Sequence, residues 1–231
     1  METTTTPAGS RSGRQESGRR RNARGQGARL SEEIVAAALT LIDRDGSAEA
    51  VTLRAVAREI GIAAPSIYPH FADRDAILTA VVARLFDDLA AAIRAGDAAA
   101  APDPVSQLVA GCESYVRFGL RYPGRYGVLF SGPRPAATAE YCRPVVLGPG
   151  QQPVLEFGAE AFALLADAIG NCVAAGSSAS TDVVADGTAV WVALHGTVTL
   201  RTARPGFPWP EPWAAFVRQL VLPLAKITND G

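Results

Sequence analysis

The sequence predicts an all-α protein in two parts: an N-terminal three-helix unit and a larger helical domain, joined by a long fourth helix. Three observations predict it. Alanine is abundant and β-branched runs are short, which favours helix over sheet. Apolar residues recur at helical spacing in segments bounded by Gly, Pro and capping residues. Residues 96–104, a stretch of Gly, Ala, Asp and Pro, divide these segments into two groups. With 231 residues, 48% of them apolar, the chain can bury a substantial core in one large or two modest domains.

The elements follow in order. Residues 1–28, rich in Thr, Ser, Gly and Arg, are expected to be disordered in isolation. Ser31 is expected to N-cap the first helix, with Glu32 and Glu33 suited to its positive end. Ile34, Ala38, Leu41 and Ile42 form its apolar face, and Asp45-Gly46 stops it. Thr52 is the expected N-cap of a short helix over 53–60, ended by Gly61. A third helix is expected over 64–70. Asp73 then caps a longer helix to about residue 95, with Ile77, Leu78, Val81, Leu85, Leu89 and Ile93 as its stripe. Beyond the linker, helices are expected over 105–121, 125–130, 154–174, 181–203 and 212–227. Pro123-Gly124 ends the first of these. A Gly/Pro-rich loop spans 131–150, and a Pro-rich connection spans 205–212.

Charge is unevenly spread. Residues 1–29 hold seven arginines against Glu2 and Glu16, a local net of +5 that leaves −6 for the rest of a chain of net −1. A basic arm on an acidic body suits a polyanionic partner, although a solvated tail has the same composition. Cys112, Cys142 and Cys172 form no Cys-x-x-Cys pair, so they outline neither a disulfide framework nor a zinc site. A reducing, cytoplasmic setting follows as the expectation. The N-terminus lacks the apolar stretch of a signal peptide. The most apolar window, 183–200, is broken by Asp186, Gly187 and His195, and reads as a buried helix rather than a membrane span. The single lysine, Lys226, among many arginines fits a high-GC bacterial genome.

Enzymatic readings fare poorly. There is no Gly-x-Ser-x-Gly, phosphate loop or metal-ligand cluster, and neither a cofactor nor a metal is expected. A small hydrolase using Cys112 or His195 is a remote alternative. Free cysteine in a helical core is far commoner.

The informative segment runs from Leu53 to Tyr68. Two short helices that cross steeply need a small residue at their contact, and Ala57 supplies it. The tight turn four residues later needs positive φ, and Gly61 supplies that. Val56, Ile60, Ile62 and Ile67 fall where both helices face one core. This is the arrangement of a helix-turn-helix, whose second helix enters the DNA major groove. Together with Ile67-Tyr68-Pro69-His70-Phe71 and Asp73-Arg74-Asp75-Ala76-Ile77-Leu78, the segment resembles the TetR family of bacterial regulators over residues 29–82.

The resemblance implies roles for individual residues. Thr52 offers a hydroxyl and a helix N-terminus to a phosphate. Tyr68 and His70 stand where family members contact the backbone. Arg74 replaces the usual lysine and keeps its charge. Ala63, Ala64, Pro65 and Ser66 lead the recognition helix, with Ser66 alone carrying a hydrogen-bonding group. Alanine and proline suit thymine methyls, and Arg54 is placed to reach a base edge. Specificity is therefore expected to lean on shape and on Arg19 to Arg24 entering a minor groove.

Two further segments, Tyr115 to Phe130 and Trp191-Val192-Ala193-Leu194-His195-Gly196, resemble the C-terminal domain of the TetR subgroup named for its Trp, His and Gly. That domain implies a ligand pocket and a homodimer formed through the last two helices. Tyr115, Phe118, Tyr122, Tyr126, Phe130, Phe162, Trp191 and His195 are the candidate pocket residues. Core filling is the ordinary use of such aromatics, and a histidine on an apolar face such as His195 is more often a hydrogen-bonded core residue than a ligand contact or catalyst. A small, hydrophobic effector is the generic expectation. The resemblance thus implies a basic arm over 1–28, a DNA-binding domain over 29–75 and a ligand-binding and dimerisation domain over 76–231. It also implies a repressor released from its operator by a ligand. An activator, or a DNA-binding module without a ligand, keeps the same fold.

Overall fold

The computed structural model describes residues 26–131, 141–147, 150 and 152–228. The basic arm up to Gly25, with the expected minor-groove arginines Arg19 to Arg24, lies outside the described residues. Among those described, the chain forms eight α-helices. They are α1 (Gln26–Asp45), α2 (Leu53–Glu59), α3 (Arg74–Ala99), α4 (Pro104–Arg121), α5 (Pro123–Ser131), α6 (Ala159–Ala174), α7 (Val183–Ala203) and α8 (Trp213–Leu224). Isolated bridges pair Val145 with Val154 and Ser178 with Ile227.

The predicted caps explain several boundaries. Thr52 accepts a hydrogen bond from the Ala55 amide at 3.1 Å, and Asp73 accepts one from the Ala76 amide at 2.8 Å. Asp103 and Asp182 cap α4 and α7 in the same way. Ser31, by contrast, is no cap. α1 begins earlier, and the Ser31 hydroxyl lies inside it, bonded back to the Gly27 carbonyl.

Three other expectations need correction. The recognition segment is not a regular helix over 64–70 but a 3-10 turn, Ala64–Ser66, followed by turn residues, so the long helix is the third α-helix of the chain. Ala63 provides no side-chain cap there. Pro123 and Gly124 open α5 instead of separating it from α4: proline suits a first helical turn, where its missing N–H has no intrahelical partner. Finally, residues 154–158 are not helical, and α6 starts only at Ala159, after Gly158 at φ 86°.

The buried apolar residues form one continuous cluster from Ile34 to Ala225. α3 is its axis. It packs on α1, α4, α5 and α6, and Ile77, Val81, Leu85, Leu89 and Ile93 are all buried along it. Against this framework α4, α6, α7 and α8 assemble as a bundle. α7 is long and apolar enough to cross a membrane by length and composition alone. Instead it buries Val190, Leu194 and Val198 against the bundle. Its opposite face stays exposed, with Val192 at 61% and Leu200 at 54%, so the helix is half-buried where the sequence predicted a buried one. At its first turn Asp186 receives the Ser180 hydroxyl at 2.6 Å and Lys226 at 3.1 Å, which ties α7 to the end of α8.

α5 joins the bundle to α1. Arg125 grips Asp43 through Nε at 2.7 Å and Nη2 at 2.5 Å. A Cβ added at Gly124 would stand 3.1 Å from the Gly46 Cα and 3.1 Å from the Ile42 carbonyl oxygen, both backbone atoms with little freedom to yield. One added at Gly127 would meet nothing within 4 Å. Gly124→Ala should therefore lower stability by about 1–3 kcal/mol by forcing α5 off α1. Gly127→Ala should raise it by up to about 1 kcal/mol through helix propensity. Thermal unfolding of the two variants checks both signs.

Candidate nucleic-acid interface and internal chamber

The predicted turn is built as expected. Val56 and Ala57 are buried at the crossing, Gly61 sits at φ 72°, and the Ile62 amide donates to the Ala57 carbonyl at 2.9 Å. Ile67 is fully buried beneath the turn. Its burial turns Ala63, Pro65, Ser66 and Tyr68 outward, with Ala64 partly covered. Thr52 and Arg54 are exposed beside them at the start of α2. The Thr52 oxygen accepts from the Ala55 amide, which leaves its own O–H available to an external acceptor. Tyr68 is 57% exposed.

His70 and Arg74 are placed differently. His70 Nδ1 lies 3.0 Å from the Ser31 hydroxyl, so this ring fastens the recognition turn to α1 and has only Nε2 left for a partner outside. Arg74 donates from Nε to the Val51 carbonyl at 2.7 Å and from Nη2 to the Ala48 carbonyl at 2.8 Å. Its fork thus holds the chain leading into α2, and Nη1 faces Asp75 at 3.7 Å. Both residues position the exposed edge more than they extend it.

A chamber of about 320 Å³ lies within the bundle. Of the eight predicted pocket residues, Tyr115, Phe130, Phe162 and Trp191 line it. Phe118, Tyr122, Tyr126 and His195 do not. Phe118 packs on Tyr122, whose ring lies at the surface under the Arg125 guanidinium at 4.8 Å. Tyr126 and His195 stand behind the wall, as part of a hydrogen-bonded relay. Trp191 Nε1 donates to the Tyr115 hydroxyl at 3.2 Å; the Tyr115 and Tyr126 oxygens are 2.7 Å apart; Tyr126 reaches His195 Nδ1 at 2.8 Å. One donor direction satisfies every member, with the final proton on His195 Nε2 facing the Thr199 hydroxyl at 3.4 Å. Burial pushes the Tyr115 phenol up to about 12, raises Tyr126 further, and lowers His195, so the relay is neutral near pH 7.

The rest of the wall escaped the sequence reading. Phe86, Leu89 and Ile93 come from α3, Leu108 and Cys112 from α4, and Phe157 from the turn before α6. Phe157 stacks on Phe86 at 6.4 Å between centroids. Gly158 admits that arrangement: its φ is positive, and a Cβ there would fall 2.7 Å from the Phe86 ring. Beyond this pair of rings lies a polar outer cavity of about 450 Å³, bordered by Asp87, Arg94, Arg143 and Glu160. Cys112 is buried with its thiol pushed far up by desolvation, which removes the thiolate a nucleophile requires. No cluster of metal-ligating side chains occurs among the described residues.

Comparison with known proteins decides the assignment. The N-terminal domain profile of bacterial regulatory proteins of the tetR family matches residues 34–81, and the Tetracyclin repressor-like C-terminal domain matches residues 108–224. The chain belongs to the TetR family. A helix-turn-helix transcriptional regulator of Mycobacterium tuberculosis is 33% identical over 115 residues, which is 49% of this chain and 51% of that protein. The chain thus spans about half the length of the curated relatives it matches. Among solved structures, a protein of unknown function from Rhodococcus sp. RHA1 superposes with a TM-score of 0.67 at 21% identity, over 91% of this chain and 95% of that one. A tetR-family regulatory protein, also from Rhodococcus, gives 0.57 at 18%, over 86% and 98%. These likenesses show the shared fold. As a TetR-family member the chain carries a DNA-binding domain and is not an enzyme.

The depressed His195 has a consequence for stability. The unfolded chain takes up the proton more readily, near the ordinary value of 6.5, than the folded one does. Its contribution is therefore complete above that value and is lost as pH falls through it toward the folded value. Comparing melting temperatures from pH 7.5 to pH 5.5, the wild type should lose more than a His195→Gln variant does.

Proposed function

We propose that this TetR-family protein binds an operator as a homodimer and is released by a small ligand held in the chamber. Residues 29–75 then form the DNA-binding domain and 76–231 the ligand-binding and dimerisation domain, with α3 shared between them. One observation carries the reading: an exposed edge built from Thr52, Ser66 and Tyr68 and an aromatic chamber are both anchored on α3.

The exposed face of α7 supports dimerisation. Ala185, Ala189, Val192 and Leu200 form an uncovered apolar stripe at helical spacing. Gly196 lies on the same side, and a Cβ there would meet nothing within 4 Å of this chain. A glycine without a close neighbour in its own subunit suits the approach of a partner helix. In such a dimer the two recognition turns would address successive major grooves about 34–36 Å apart. A ligand that favours a different spacing needs a coupling of only about 1–3 kcal/mol to change affinity substantially.

Within each head, Thr52 and Tyr68 supply phosphate donors. Ala63, Ala64, Pro65 and Ser66 supply a mostly apolar reading surface, with Arg54 beside it and the arginines of the N-terminal arm available to a minor groove.

Fluorescence anisotropy with DNA flanking the gene, repeated across salt concentrations, tests the reading. Saturable binding that resists scrambled competitor is expected. Tyr68→Phe should weaken it about tenfold, in the range for a lost hydrogen bond to a charged group, with an unchanged melting temperature. Weak binding that vanishes with salt and ignores Tyr68 would reject it.

A further inference from the structure

The chamber is apolar over most of its wall, yet one end carries a carboxyl. Asp97, in the last turn of α3, lines it together with Phe86, Tyr115, Phe162 and Trp191. Among the described residues, no cation pairs with this carboxylate and no hydrogen bond is made by its side chain. Burial alone acts on it, raising it above the ordinary aspartate value. α4 makes room for it: a Cβ at Gly111 would fall 2.3 Å from its Oδ1. The only other formally charged side chain on the described lining is Glu156, also acidic; no Lys, Arg or His is present there.

An apolar cavity has no packing reason to keep an uncompensated carboxylate, whose desolvation works against the fold. The same desolvation strengthens its attraction to a positive charge and its repulsion of a negative one. The surrounding ring faces add to the preference, because their quadrupoles attract cations. We propose that the chamber selects an organic cation: an apolar, ring-bearing body whose single positive charge rests against Asp97. This names the ligand class for the effector site proposed above and rests on that reading. Apolar anions such as free acyl carboxylates are disfavoured by the same wall.

The test uses the full-length protein and three probes. N-phenyl-1-naphthylamine, neutral and apolar, reports occupancy by its fluorescence. Tetraphenylphosphonium and tetraphenylborate, nearly the same in shape and opposite in charge, compete with it. Tetraphenylphosphonium is expected to displace the dye at a concentration at least tenfold below tetraphenylborate. Asp97→Asn should weaken the cation about tenfold, leave or improve the anion, and melt no lower than the wild type, since it removes a half-buried charge that no cation pairs with. Equal displacement by both ions, or an Asp97→Asn variant that binds both as before, overturns the cation assignment while the chamber stands as a site for another class. Failure of tetraphenylphosphonium to displace a bound dye overturns it equally. If the dye itself does not bind, the effector-site reading falls and takes this proposal with it.

Discussion

One apolar stripe along α3 is shared by two sites, and the rest of the architecture depends on that sharing. Ile77, Val81 and Leu85 are fully buried in the half of the helix that follows Arg74. From the very next residue on, Phe86, Leu89 and Ile93 become the wall of the chamber. A close-packed helix has few intermediate positions, because side chains at both ends must stay interdigitated. Any change in the chamber that tilts α3 therefore has to be accommodated in the head, where Arg74 at its first residue holds the carbonyls of Ala48 and Val51. The exposed edge at Thr52 and Tyr68 is set by that grip.

α5 supplies the second connection. Within nine residues it places Phe130 on the chamber wall, Tyr126 in the neutral relay behind it and Arg125 on Asp43 of α1. Gly124 keeps its N-terminal end close against Ile42 and Gly46. The head is thus fastened through α3 and through α5, and the chamber touches both. Allosteric transmission in the proposed mechanism needs no longer path than these two helices.

Much of this was legible in the sequence. The caps Thr52 and Asp73, the Ala57 crossing and the Gly61 turn are local chemistry, so residue type and spacing suffice to place them. The shape of the recognition turn was less legible: a helix was expected over 64–70, but Pro65 and an uncapped Ala63 leave only a 3-10 turn. The start of α6 was misplaced because Val154, Leu155 and Phe157 read as a helical apolar run, whereas the segment is non-helical, sets Val154 and Phe157 on the chamber wall, leaves Leu155 exposed and turns at Gly158. The pocket was half legible. An aromatic on a helix has the same signature whether it faces a cavity, a relay or the surface: Tyr115 lines the chamber and joins the relay, Tyr126 serves the relay alone, and Tyr122 lies at the surface. The roles of His70 and Arg74 depend on partners 39 and 23 to 26 residues away, which spacing within the motif does not report.

Hydrogen exchange across the chain, with and without N-phenyl-1-naphthylamine, addresses the shared-helix account most directly. Occupying the chamber is predicted to change protection in α3, in α5 and along 42–46, and to carry that change into residues 53–71 of the head. Changed protection confined to the chamber wall, with α5 and the head indistinguishable from the free protein, would contradict it.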